Sequence, residues 1–304
     1  MVTVTEGTFL IDGASLHTKT WLPDGPLKAK MIMIHGFSDH VDRYYGFFPH
    51  LAERGIGVYG FDQRGWGRSA PKHSDKGKTG PTARVLADMA AFIRRQLPSD
   101  VPVFVLGHSM GGGQVLTMAS TPEYEDLVAQ VRGWILESPF VGFAPEIQPS
   151  WLTVASGRLA SHVVPNFKLY RPIPPEDVTR DPEVQASLLA DALCHNYGTL
   201  EGLAGMLDRT NGLGGGKFLL SKKVKSLFMV HGTMDKATSF HKSKEWFDRQ
   251  TTIPDAKFKA FDGFAHQLHA DPGKEEFYED VSSWILERCG GASEGVEQPI
   301  DAKL

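Results

Sequence analysis

The sequence predicts an α/β protein: a mostly parallel central sheet with helices on both faces, interrupted once by an inserted helical cap. Three observations carry this. Short apolar runs at 29–34, 56–61, 103–106 and 131–136 alternate with stretches whose apolar residues recur at helical spacing, the rhythm of strands covered on both faces by crossover helices. That rhythm stops over 144–216, where prolines recur, and resumes at 226–230; an interval of that length reads as an inserted lid rather than a structureless loop. Finally, Gly107-His-Ser-Met-Gly111 follows one apolar run and precedes a helical segment, a strand-turn-helix that pushes the Ser109 hydroxyl clear of the sheet. The chain therefore divides into a first core part (1–143), a cap (144–216), a second core part (217–289) and a tail (290–304) whose Gly and Glu content predicts an unfolded end.

Each element follows from local residues. Segments 7–11 and 15–22 alternate around Asp12-Gly13 and predict an antiparallel hairpin at the sheet edge. The first buried strand, 29–34, ends in His35-Gly-Phe-Ser-Asp-His40, a loop in which His35 reads as a brace. Tyr44, Phe47, Phe48 and Leu51 place a helix over 43–54, closed by Gly55. Strand 56–61 leads into Asp62-Gln-Arg-Gly-Trp-Gly-Arg-Ser69, a tight loop that Asp62 and Arg64 tie down. Pro81 opens a helix to about residue 97, with Val85, Leu86, Met89, Phe92 and Ile93 inward. After the elbow helix (114–120), strand 131–136 ends at Glu137-Ser138-Pro139.

Within the insertion no strand is evident. Residues 151–164 can form a helix with Leu152, Ala155, Leu159 and Val163 on one face, able to line an apolar tunnel, lie on a membrane surface or pack on the body of the protein. The interval closes with Asn211-Gly-Leu-Gly-Gly-Gly216. The remaining elements are a strand at 226–230, a helix at 239–250, a strand at 257–261 and a helix at 275–288 with Phe277, Val281, Trp284 and Ile285 inward.

Composition narrows the function. A chain of 304 residues with 41% hydrophobic and 22% charged residues is an ordinary globular one, and its net charge of −4 with no dense Lys/Arg stripe argues against nucleic acid as a partner. Cys194 and Cys289 lie far apart and read as free thiols in a reducing compartment, with a single disulfide left open. No Cys or His spacing suits a metal, so no metal is expected. The N-terminus has no basic head followed by an apolar stretch, and no apolar run could span a bilayer; a cytoplasmic protein is expected.

The chemistry centres on Ser109. Gly107 and Gly111 leave room for a strained turn, and the Met110 backbone N–H, at a helix start, can donate to an oxyanion. The second donor is expected from the loop after strand 29–34, at the Phe37 N–H. Asp235 and His266 follow late strands within His231-Gly-Thr-Met-Asp-Lys236 and Gly263-Phe-Ala-His-Gln-Leu-His269. The chain order Ser, Asp, His and the position past each strand end bring the three to one rim of the sheet. His266 would take the serine proton and return it to the leaving group, while Asp235 fixes the imidazole tautomer. Asp208 and Asp262 compete as acids, and His231 and His269 as bases. A lysophospholipase, a general carboxylesterase or a serine peptidase fits this triad equally, and a ligand receptor on a hydrolase scaffold is the non-catalytic alternative.

His35-Gly-Phe-Ser-Asp-His-Val-Asp-Arg-Tyr44, the loop 62–69, Gly107-His-Ser-Met-Gly-Gly, Gly232-Thr-Met-Asp235 and Phe264-Ala-His-Gln-Leu-His269 together resemble the monoacylglycerol lipases of the α/β-hydrolase superfamily, especially fungal ones. The cap segments Arg180-Asp-Pro-Glu-Val184 and Asp191-Ala-Leu-Cys-His195 are similar to the same group. The resemblance implies the α/β-hydrolase fold, cofactor-free cleavage of monoacylglycerol to fatty acid and glycerol, and an amphipathic cap in peripheral contact with a membrane or lipid-droplet surface. It further implies that Asp39, Arg43 and His269 hold the glycerol hydroxyls. Aspartate at 39 stands where the family has the longer glutamate, and Phe37-Ser38 where small residues are common. The terminal Ala302-Lys303-Leu304 resembles the Ser-Lys-Leu peroxisomal address, an alternative to cytosol.

Overall fold

A computed structural model describes residues 1–290; the tail beyond, with Ala302-Lys303-Leu304, lies outside the described residues. The chain opens with β1 (Val2–Ile11) and β2 (Ala14–Pro23), an antiparallel hairpin turned at Asp12 and Gly13, whose φ values of 44° and 74° match the twist of the strands they join. The parallel sheet follows: β3 (Ala29–Ile34), β4 (Ile56–Phe61), β5 (Val103–His108), β6 (Gly133–Glu137), then, beyond a short pair β7 (Lys168–Tyr170) and β8 (Tyr197–Thr199), β9 (Ser226–Gly232) and β10 (Asp255–Phe261). Strand order in the eight-stranded sheet is β1-β2-β4-β3-β5-β6-β9-β10, with every neighbour from β4 to β10 parallel. This is the mostly parallel sheet that the apolar runs predict, in the α/β-hydrolase form that the resemblance implies.

Helices cover both faces. Phe47, Phe48 and Leu51 of α1 (Phe47–Glu53) and Phe277, Val281 and Trp284 of α10 (Glu275–Glu287) share one core with Met31, Met33, Phe104 and Ile135. The opposite core takes Met89 and Phe92 of α2 (Thr82–Arg94), Val115 and Met118 of α3 (Met110–Ala119), Leu127 of α4 (Glu125–Gln130) and Trp246 of α9 (Phe240–Asp248). β5 and β3, central and buried on both sides, carry the elbow and the loop at 35–40 out at their carboxyl ends.

Between β6 and β9 run α5 (Trp151–Val163), α6 (Pro175–Val178), α7 (Pro182–Ala190) and α8 (Leu200–Gly214). Two features here and in the core depart from expectation, and two settle what the sequence left open. The helix placed over 43–54 is a 3-10 turn at Val41–Tyr44 and α1, parted at Tyr45 (φ 43°), which lets Tyr44 turn inward while Tyr45 stays half exposed. The insertion does contain strand, the antiparallel β7–β8 pair; three-residue strands are too short for alternation to register. The glycine run at 211–216 spans the end of α8, where Gly212 lets the helix press on the Phe218 ring. And α5 does not pack its apolar stripe on the body: Leu152, Leu159 and Val163 are 62%, 71% and 76% exposed, and no residue of the helix is buried.

The later part of the insertion is instead pinned to the core by polar bonds. Ser38 Oγ accepts from the Asn196 N–H (2.8 Å), the Val178 carbonyl accepts from the Gln267 N–H (2.8 Å), and Arg180 Nε donates to the buried Asp271 (2.8 Å).

Candidate active site

β5 ends at His108 and α3 begins at Met110, so the chain reverses from strand to helix in Ser109 alone, at φ 54° and ψ −120°. That conformation is strained for any residue with a Cβ. It is held from both sides: the Ser109 N–H donates to the Glu137 carbonyl (3.0 Å), and the Ser109 carbonyl accepts from Phe140 (2.9 Å) and Gly113 (3.1 Å). A Cβ on Gly107 would stand 2.8 Å from the Gly111 oxygen, and one on Gly36 would stand 3.2 Å from the Ser109 Cβ. The elbow and the loop after β3 thus close on each other only because both positions carry hydrogen.

The turn after β9 and the loop after β10 meet at Asp235 and His266. His266 Nδ1 lies 2.7 Å from Asp235 Oδ2, leaving Nε2 as the nitrogen free to serve a nucleophile. The Asp235 side chain is fully buried, and every lone pair is used: Oδ1 accepts from the Ala237 and Thr238 amides (2.8 Å each), and Oδ2 from Thr238 Oγ1 (2.7 Å) and His231 Nε2 (3.0 Å). Burial pushes this carboxyl up, but the His266 charge and the hydrogen bonds from His231 and His266 outweigh it and hold it well below the usual carboxylate range. Burial likewise pushes His266 down, and the charge and hydrogen bond of Asp235, with Glu137 and Asp39 further off, reverse that and raise it above an ordinary histidine. The His266 ring stands 4.9 Å, centroid to centroid, from that of His108, the residue before Ser109. Among the described residues no hydrogen bond joins Ser109 Oγ to the imidazole; such contacts commonly tighten only around substrate.

A cavity of about 360 Å³ opens onto Ser109. Phe37 and Met110 line it beside the serine, and Met110, as the first residue of α3, has an N–H without a partner inside the helix. Val154 and Gly157 of α5 face Leu203 and Met206 of α8 across the far part, with Arg158, Arg171 and Lys236 also on the wall. The arrangement offers a nucleophile, a base with a buried partner acid, two amides and an apolar chamber: the parts for acyl transfer.

Residues 25–273 match the model of the serine aminopeptidase S33 family. The chain belongs to this family. It is 35% identical to a putative monoglyceride lipase of Schizosaccharomyces pombe over 90% of this chain and 72% of that one, and 29% identical to a monoacylglycerol lipase of Mycolicibacterium smegmatis over 91% and 94%. A solved soluble variant of monoglyceride lipase from Saccharomyces cerevisiae, in complex with a substrate analogue, superposes with a TM-score of 0.82 at 20% identity, covering 93% of this chain and 94% of that one. This S33 member is a monoglyceride-lipase-like α/β-hydrolase, a carboxylic ester hydrolase.

The S33 chain does not bring the residues expected to read glycerol to the cavity wall. Asp39 is buried and accepts from Tyr44 Oη (2.9 Å) and the His40 (2.8 Å) and Gly36 (3.3 Å) amides. Arg43 reaches Ser187 (3.1 Å) and Asp191 (3.3 Å) at the seam with the insertion, and also Tyr45. His269, fully buried, holds Glu137 Oε1 at 2.7 Å and stacks on Tyr44. The three side chains thus bond to their own loop, to the insertion and to the end of β6, and none is among the residues lining the cavity. Of the competing groups, Asp208 is exposed on α8 and pairs with Arg158, Asp262 bonds Thr233 (3.1 Å) at the surface, and His231 supports Asp235. His35 braces its loop as expected, its Nε2 accepting from the Gln63 N–H at 2.9 Å. Glu137 is absent from the sequence-based site; its one signal is an acidic residue directly after an apolar strand.

Among the described residues, two groups of side chains offer three metal-ligand atoms within 4.8 Å: His40, Asp191 and Cys194, and His108, Glu137 and His269. In each, the histidine and carboxylate are 2.8 and 2.7 Å apart, closer than the roughly 3.3 Å between two ligands on one tetrahedral zinc. Such pairs are hydrogen-bonded to each other instead. Cys194 and Cys289 are free thiols.

Proposed function

We propose that the chain cleaves the ester bond of monoacylglycerols, giving a fatty acid and glycerol, with Ser109 as nucleophile, His266 as general base and acid, and Asp235 as its orienting partner. Ser109 Oγ attacks the ester carbonyl as His266 Nε2 takes its proton; the oxyanion meets the amides of Phe37 and Met110. Collapse breaks the bond to glycerol, whose oxygen leaves with the proton from His266. Water, deprotonated by the same nitrogen, then attacks the acyl-serine, releases the fatty acid and restores Ser109.

The observation that carries this reading is that the strained Ser109 opens onto one apolar cavity while the Asp235–His266 pair stands close by, the His266 ring 4.9 Å from that of His108, the residue before Ser109. An alkyl chain in that chamber contributes roughly 0.8 kcal/mol per buried methylene, and the family relationship supports the lipid ester. Residues 144–216 form the lid. The outward apolar side of α5, with Trp151 80% exposed, is the side that rests on a lipid surface; among the described residues no helix is long and apolar enough to cross a membrane.

Lysophospholipid hydrolysis is the second reading, favoured by Arg171 and Lys236 on the cavity wall, where a phosphate could sit. Turnover across monoacylglycerols, lysophospholipids and short soluble esters separates the two. Preference for monoacylglycerols supports the first reading, and a preference for lysophospholipids that Arg171→Ala removes replaces it.

A further inference from the structure

Glu137 is the last residue of β6, fully buried, directly beside His108 in the parallel register with β5. Its backbone carbonyl accepts the Ser109 N–H (3.0 Å). Its side-chain Oε1 accepts both the His269 backbone N–H (3.1 Å) and His269 Nδ1 (2.7 Å). Oε2 has no hydrogen-bond partner, nor do His108 Nε2 and His269 Nε2. One residue therefore grips the nucleophile through its main chain and, through its carboxylate, the loop that carries His266 three positions earlier.

A buried carboxylate with an unpartnered oxygen is costly, and strand packing does not ask for one: an apolar side chain would fill the end of β6 as well. Burial raises this carboxyl, yet the charges of His269 and His108 and the two bonds from His269 outweigh it, so the group is held ionised. His108 is pushed down by its own burial, despite Glu137 and Asp39. The groups around His266 are Asp235 and Thr238 from the turn after β9, His108 from β5 and, further off, Glu137 from β6 and Asp39 from the loop after β3; His231 reaches it through Asp235, and His269 packs on His108.

We infer that Glu137 is a positioning residue for the proposed hydrolysis: its carboxylate clamps the His266 loop to the serine elbow and places negative charge behind the imidazolium that forms during attack. This rests on the assignment of Ser109 and His266 made above. It explains why an ionised side chain occupies the end of a strand buried on both faces.

The test follows hydrolysis of a soluble chromogenic ester, and labelling of Ser109 by a fluorophosphonate, between pH 5 and 9. Glu137→Gln keeps the shape and removes the charge. Its kcat should fall about tenfold with KM nearly unchanged, and the acid limb of both profiles should move to lower pH by about half a unit or more, because a base without that neighbour loses its proton more readily. Glu137→Asp keeps the charge but shortens the reach, so kcat should fall while the acid limb stays. A folded Glu137→Gln protein whose acid limb coincides with the parent overturns the inference. Should that variant not fold, His269→Gln, which removes the imidazole clamp, decides it: parental kcat overturns the inference and a reduced kcat at parental KM supports it. Failure of the parent protein to label at Ser109 would instead remove the triad assignment itself.

Discussion

The site's polar floor, which lies beneath the cavity wall, and the roof over that cavity are built in opposite ways. On the floor, Asp39, Glu137, Asp235, His108, His266 and His269 are charged or titratable and all are buried or have buried side chains; each carboxylate is aimed by amides or by histidine nitrogens. On the roof, α5 has no buried residue and turns Leu152, Leu159 and Val163 to solvent. The floor spends burial on fixing polar groups, which is what electrostatic preorganisation requires. The roof withholds burial from apolar groups, which a helix tolerates when another surface covers it. Polar-in and apolar-out are each the reverse of ordinary packing, and each marks a region whose partner is not the rest of the chain.

The largest expected effect breaks the floor. Ser109→Ala or His266→Ala should lower turnover of any ester by at least about a thousandfold, since such groups act as a unit. Thermal melting should change little for Ser109→Ala, because the substitution keeps the Cβ and the backbone bonds that hold the elbow. Near-parental turnover in either variant removes that residue from the mechanism.

A smaller effect, selective by substrate, is expected on the roof. Leu159→Glu with Val163→Glu places charge on the exposed stripe, far from Ser109, and surface changes of this kind move stability by only about half a kcal/mol. Hydrolysis of a long-chain monoacylglycerol dispersed in vesicles should fall about tenfold or more, and co-sedimentation with those vesicles should fall with it. Hydrolysis of a short soluble ester should stay within about twofold. Equal losses on both substrates would mean that the stripe supports the lid's own fold rather than its contact with lipid.

The contrast also marks what was legible in the sequence. Core strands announce themselves because burial on both faces forces continuous apolar runs, and Asp235 and His266 are found by their distance past such runs. The elbow is legible because Gly107 and Gly111 are demanded by close contacts. Relations at the same rim set by the third dimension were not. Nothing in the spacing of Asp39, Arg43 and His269 says whether they line the cavity or bond elsewhere. The stripe on α5 is readable as a stripe, but periodicity gives the angle between apolar and polar faces and not which of them meets the body. Glu137 was passed over since a strand that ends in one acidic residue looks the same whether that residue turns out to solvent or inward to His269.

The seam between floor and roof should give the smallest effect, one visible only against pH. His195, from the insertion, stacks on Trp66 of the core (5.0 Å, 8° between planes), offers Nε2 to the Gly65 carbonyl (3.0 Å) and accepts the Tyr197 N–H at Nδ1 (3.1 Å). Only the neutral ring with its proton on Nε2 makes both bonds, and burial pushes its pKa down to about 4. Because the folded value lies below the unfolded one near 6.5, the unfolded chain takes up the proton first. The contribution of His195 is therefore complete above about pH 6.5 and drains away as pH falls toward 4. His195→Phe keeps the stacking and cannot titrate: its Tm should lie below the parent at pH 7.5, and the gap should narrow as the pH approaches 4.5. A gap constant with pH would mean that the ring holds the seam by shape alone, and that the roof is tied to the floor without regard to protons.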